Sequence, residues 1–191
     1  MFAVITDGSI TSFPKGNKGI KIGDNQYPAA IYTLWTEAER NAIGIYTVVI
    51  NNTNKKDDEY YTNTNQTYAY DADAGTVTAS YGTATAIAIA DANGIEGLKT
   101  KHKRIIDNQC AGELAPSDWR VIREQETGDA MDSDWKTWRT NVRKKCNAMQ
   151  TLITNAANVD ALATLYAYVN TADEGDPEVY ARPLGEFPEK E

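Results

Sequence analysis

The feature that most constrains this chain is a change in the period of its apolar residues near its middle. Up to Asn93-Gly94, β-branched and aromatic residues come in short runs, several alternating with polar ones and set apart by turn signals, which is the pattern of half-buried strands. Beyond that point Leu98, His102, Ile105, Ile106 and Cys110 recur at helical spacing. Trp135, Trp138, Val142, Cys146, Met149, Leu152, Ile153 and Ala156 then trace a longer stripe of the same kind. The two periods belong to different layers, so the pattern predicts an α+β protein. An N-terminal β-rich module covers 1–93, and a small helical module, a hairpin or bundle, covers 94–170. Residues 171–191 are rich in Gly, Pro and acids and read as an acidic C-terminal arm. Such a segment is too poor in apolar groups to order alone, so it is expected to be either mobile or laid extended against a partner.

Local signals fill in the elements. The run 1–6 is a strand ended by Asp7-Gly8, a hairpin turn pair, with 10–13 returning beside it. Thr36 and Glu39 have the spacing of a capping box, which predicts a short helix to Ile43 closed by a left-handed Gly44. The run 45–50 is the clearest strand, and 60–81 reads as a meander of polar strands with Asp73-Ala74-Gly75 as a turn. Residues 83–93 fit a last strand or a linker, with Asn93-Gly94 as the break between modules. Pro116 ends the first long helix, and Asp132-Ser133-Asp134 starts the strongest one. A further stripe of Val159, Leu162, Leu165, Tyr166 and Val169 predicts a helical neighbour for it.

Charge narrows the functions. Residues 1–93 carry 6 basic and 10 acidic side chains, 94–150 carry 11 and 9, and 151–191 carry 2 and 8, so the net of −8 divides as −4, +2 and −6. An acidic chain without a concentrated basic face is poorly suited to nucleic acid, because Lys and Arg supply most of that affinity. The one basic run, Lys99-Thr100-Lys101-His102-Lys103-Arg104, reads as a solvated helix face. No stretch approaches the ~20 apolar residues that span a bilayer, and no secretory signal opens the chain, so synthesis in the cytoplasm is expected. Cys110 and Cys146, with a single histidine, make neither a disulfide framework nor a standard zinc site and are expected to be buried, reduced thiols.

Catalytic patterns were sought by chemistry. The only imidazole, His102, lies on an apolar helical stripe, where packing is the better reading. The carboxylate clusters Asp57-Asp58-Glu59 and Asp71-x-Asp73 sit in turn-like sequence, and Asp71-x-Asp73-x-Gly75 lacks the distant Glu of a calcium loop. The expectation is a non-enzymatic protein with no catalytic, cofactor or metal residues.

One stretch carries a resemblance. Leu114-Ala115-Pro116-Ser117-Asp118-Trp119 precedes Trp138-Arg139-Thr140-Asn141-Val142-Arg143. This order resembles a segment near the C-terminus of many tailed-phage tail proteins, in which a leucine, two residues and Ser/Thr-Asp-Trp precede a helix bearing Trp/Tyr-Arg-x-x-x-Arg. Those proteins are described as tail fibre or tail-assembly-chaperone-like proteins. The front of the chain is similar to the same group in its opening strand, its Tyr27-Pro28 element, its capped helix and Gly44-Ile45-Tyr46-Thr47-Val48, where the group often has Gly-Val-Tyr-Pro-Val. Thr47 departs from that pattern, and the Tyr/Thr/Asn-rich middle has no counterpart in it.

The resemblance implies a structural component of a virion tail, tail fibre or baseplate, with other tail proteins and copies of itself, as a homo-oligomer, for partners. A tail-assembly chaperone absent from the mature virion is the alternative, and a tail protein that binds a host receptor or surface glycan is a third. Physically, Ser117 or Asp118 would cap a turn, Trp119 would anchor it in the helical core, and Arg123, Arg139 and Arg143 would pair with nearby carboxylates. Trp119, Trp135, Trp138, Arg139, Arg143 and Met149 are the candidates for packing or interface roles.

Overall fold

The structure is a computed structural model that describes residues 1–190. It is α+β, with strands first and helices second, and it divides into two compact units, Met1–Thr85 and Ala86–Glu191.

In the first unit, strands β1 (Phe2–Thr6) and β2 (Ser9–Ser12) form an antiparallel hairpin. Asp7 and Gly8 both take positive φ, at 51° and 73°, as a turn that follows the strand twist requires. A small hairpin of β3 (Ile20–Ile22) and β4 (Asn25–Tyr27) leads into two short helices, α1 (Ile31–Leu34) and α2 (Glu37–Ala42). The capping box forms as expected: Thr36 N–H donates to the Glu39 carboxylate at 2.8 Å, and Glu39 N–H donates to the Thr36 hydroxyl at 3.3 Å. Those bonds hold the Glu39 carboxyl below its ordinary pKa. Gly44 closes the helix at φ 79°, and a Cβ there would stand 2.7 Å from the Ile5 carbonyl oxygen. Only glycine meets both demands.

The chain continues through β5 (Ile45–Asn51), β6 (Tyr61–Thr62), β7 (Thr67–Asp71), β8 (Thr76–Ser80) and β9 (Thr85–Ala86). The main sheet has the order β2-β1-β5-β8-β7. It is not the meander expected of 60–81, because β8 lies parallel to β5 and inside β7. The apolar content of the two strands explains the exchange. β8 offers Val77 and Ala79, both fully buried, whereas β7 alternates exposed Thr67, Ala69 and Asp71 with half-buried tyrosines and suits an edge. Central strands β1 and β5 are covered on both faces. Ala3, Val48, Val77 and Ala79 form one small core, and Val4, Ile31, Tyr32 and Ile45 form the other. The sheet curls until its ends approach, with the Phe13 ring, just past β2, 4.4 Å from Tyr68 of β7.

The division between units falls after Thr85 and not at Asn93-Gly94. That dipeptide is a tight turn inside the second unit, with φ of 52° and 75°, closing a bridge between Ala92 and Ile95. The dipeptide forms the turn its residue types predict, but a turn does not mark a domain boundary by itself. Residues 88–91 are tied to the helix that follows. Leu98 N–H donates to Ala88 O, Lys99 N–H to Ile89 O, and Gly97 N–H and the Thr100 hydroxyl to the Asp91 carboxylate. These bonds, that from Gly97 first, pull the Asp91 pKa down.

The second unit is built on α3 (Leu98–Leu114), a 3-10 turn at Ala115–Ser117, α4 (Asp118–Thr127), α5 (Ser133–Asn155) and α6 (Val159–Tyr166). Leu98, His102, Ile106 and Cys110 face Val142, Cys146, Met149 and Ile153 across an antiparallel α3–α5 pair. His102 packs 4.8 Å from the Tyr166 ring. Leu152 was expected in the α5 stripe, but it is 39% exposed, because it lies a residue off the line through Met149 and Ile153.

The C-terminal arm is ordered against its own unit. Strands β10 (Val169–Asn170) and β11 (Tyr180–Ala181) pair, Leu184 is fully buried, and Leu184 N–H donates to Leu165 O at 2.9 Å. One buried leucine and backbone bonding do what composition alone did not suggest.

Candidate interaction surface

Pro116 has no N–H to continue α3, so the helix tightens into the 3-10 turn and restarts as α4 at Asp118. Ser117 does not cap that start. It is fully buried, and its hydroxyl donates backwards to Leu114 O at 2.8 Å. Beneath the turn lies Arg139 of α5, 5% exposed. Its guanidinium donates to Leu114 O at 3.0 Å, to the Ser117 hydroxyl, and to the Asp118 carboxylate at 2.7 Å. A buried cation is tolerable only when its donors are matched in this way. Leu114, Ser117 and Asp118 of the first sequence element are therefore bound to the arginine of the second.

Beside this clamp stands an aromatic stack. The Arg120 guanidinium lies between two indoles, 4.6 Å from Trp119 and 4.4 Å from Trp135. Trp135 meets Trp138 edge to face at 5.6 Å, and Lys190 approaches Trp135 at 5.2 Å. Trp138 N–H donates to Pro188 O at 2.9 Å, which ties the C-terminal arm to α5. Each cation–π contact is worth on the order of 0.5–1 kcal/mol where exposed.

The candidate residues separate accordingly. Trp138, Arg139 and Met149 are buried, and Trp135 is half-buried in the stack. Trp119 does not anchor the core; it is 50% exposed at the outer end of the stack, with Arg120 over its ring and an open cleft at its side. Arg143 is exposed on α5 beside Cys110 and Cys146, away from the clamp. Arg123 pairs with Asp129 at 3.0 Å, and Lys136 with Glu124 at 2.6 Å. Both carboxyls are held below their ordinary pKa by those cations, but exposed pairs of this kind contribute little.

What remains is an outward face. Every residue of α4 is exposed or half-buried, and Trp119, Val121 and Ile122 stand at 50%, 36% and 56% exposure. A cleft of about 180 Å³ lies at the helix's edge, bounded by Trp119, Arg120, Arg123, Asp129 and Met131. No protein-family model, curated protein or solved structure matches this chain.

The acidic clusters take structural positions. Asp57 and Asp71 accept backbone N–H groups in their own turns, and Asp58 pairs with Lys55 at 3.0 Å. Among the described residues, no group of three or more His, Cys, Asp or Glu could hold a metal ion, and no helix is long and apolar enough to cross a membrane. The Arg120 sandwich and the uncovered Val121-Ile122 pair were not seen in the sequence. An Arg flanked by Trp is a signal for the first, and a ten-residue helix is too short for its apolar pair to define a buried stripe.

Proposed function

We propose that this chain is a structural, non-enzymatic component of a tailed-phage virion, in the tail, a tail fibre or the baseplate, and that it works by subunit docking. The observation that carries the reading is the meeting of Leu114, Ser117, Asp118 and Arg139. These positions bear the resemblance to tail proteins, and together they hold the start of α4 against α5 while Trp119, Val121 and Ile122 face outward. Covering what is exposed of each would contribute on the order of 1 kcal/mol. Such an interface is modest singly, and repetition around a symmetric assembly of copies or neighbouring tail subunits makes it sufficient.

Mass spectrometry of purified particles, reading presence and copy number, tests the reading. The expected result is the chain in mature particles at a symmetric stoichiometry. Presence only with unassembled tail proteins would make it an assembly chaperone, and presence with neither would end the proposal.

A further inference from the structure

The register of the α3–α5 pair is set at three levels. Lys99 donates to Thr154 O at 2.8 Å, the Gln150 amide donates to the Asp107 carboxylate, and Arg139 donates to Leu114 O. Between the second and third levels each helix presents one cysteine to the other: Cys110, a turn after Asp107, and Cys146, a turn before Gln150. The Cys146 sulfur lies 3.9 Å from the Asp107 carboxylate and 3.8 Å from the Gln150 amide. Both cysteines are buried and free. Burial first, and then the nearby Cys110 thiol, pushes the Cys146 pKa up to about 12.

An open groove of about 340 Å³ runs along the pair, lined by Asp107, Cys110, Leu114, Arg143, Cys146 and Asn147. The two cysteines thus line one groove between the facing helices, reachable from one side by a small reagent. Their separation in sequence concealed this, since only the helix register brings them together.

We propose that Cys110 and Cys146 are a redox pair that closes an intrachain disulfide between α3 and α5 by exchange with a low-molecular-weight disulfide such as glutathione disulfide. One cysteine thiolate attacks a sulfur of the small disulfide, whose S–S bond breaks and releases one small thiolate. The second cysteine sulfur then attacks the protein-side sulfur of the mixed disulfide and expels the other small thiolate. The two cysteine protons end on the two small thiols, so the protein pair loses two electrons and the small disulfide gains them. The new bond closes a long loop that takes in α4, and loops of that size give large stabilisation. Exchange is slow near neutral pH, where little of a raised-pKa thiol is ionised, and it accelerates as pH rises.

The test uses the full chain treated with glutathione disulfide at mildly alkaline pH, alkylated in denaturant, weighed intact and mapped by proteolysis without reductant. The expected product has lost two hydrogens, takes up no alkylating agent, and yields one crosslinked peptide pair joining Cys110 to Cys146. Its thermal midpoint rises by several degrees and returns on reduction. C110S and C146S each stop at a single glutathione adduct. The mapping of the unsubstituted chain decides the matter even if a variant fails to fold. Disulfide-linked dimers, a lasting glutathione adduct on the native chain, or two thiols still open to alkylation would each overturn the proposal.

Discussion

The two units differ less in what they expose than in what they bury beneath it. The β unit leaves apolar residues exposed in scattered places, Phe13, Leu34, Val49 and Ile50, and satisfies its polar loops internally through Asp57, Asn63 and Asp71. The helical unit leaves scattered apolar residues exposed as well, Ile95, Leu152 and Tyr180 among them, but it also buries a charged arginine beneath the start of α4, the short helix on which Trp119, Val121 and Ile122 are exposed. Scattered apolar exposure is ordinary for a folded surface, whereas a helix with Trp119 and Ile122 exposed one turn apart, its start braced by a buried cation, is suited to contact. The proposed docking surface therefore lies in the second unit, and Arg139, which holds the start of α4 against α5, is the residue to remove first.

Arg139→Met carries the largest expected effect. It strips a donor from Leu114 O and the Ser117 hydroxyl and leaves Asp118 without its cation, at a cost of about 2–4 kcal/mol. Denaturant unfolding followed by tryptophan fluorescence should show that loss in the helical unit, while hydrogen exchange in β1 and β5 stays as it was. A loss shared equally by both units would break the contrast. The counterpart in the β unit is Gly44→Ala, which meets both the positive φ and the Ile5 carbonyl and should cost about 2 kcal/mol there alone.

A third test uses pH. The Cys146 thiol titrates near 9 when unfolded and near 12 when folded. A raised folded pKa means that its contribution is complete below about pH 9 and is lost as pH rises towards 12, since the unfolded chain gives up its proton first. Unfolding midpoints across that window should fall more steeply for the unsubstituted chain than for Cys146→Ser. Equal slopes would contradict the burial of the thiol.

The parts of the fold legible in the sequence are those set by neighbours along the chain. Asp7-Gly8 makes its turn, Thr36 and Glu39 cap α2, Gly44 ends it, and Trp138, Val142, Cys146, Met149 and Ile153 form the buried stripe. Features decided by distant partners were hidden. β8 lies parallel beside β5 with Val77 and Ala79 buried, while β7, which has no aliphatic residue larger than its exposed Ala69, takes the edge. Asn93-Gly94 made a turn, but only the bonds from Gly97 and Thr100 to Asp91 reveal which unit owns it. The arm beyond Asn170 looked too polar to settle, and the single Leu184 settles it. At the surface, the motif residues were named, while their joint task depended on how α3 and α5 align.

The smallest expected change in stability accompanies the most direct test. Ile122→Asp alters a side chain that is 56% exposed on α4, so folding stability should move by no more than about 0.5 kcal/mol. If the proposed tail role holds, the variant co-expressed with tail proteins should fold with an unchanged thermal midpoint and yet be missing from assembled particles when these are weighed by quantitative mass spectrometry. Incorporation at the same copy number as the unsubstituted chain would contradict the claim that α4 is the docking face.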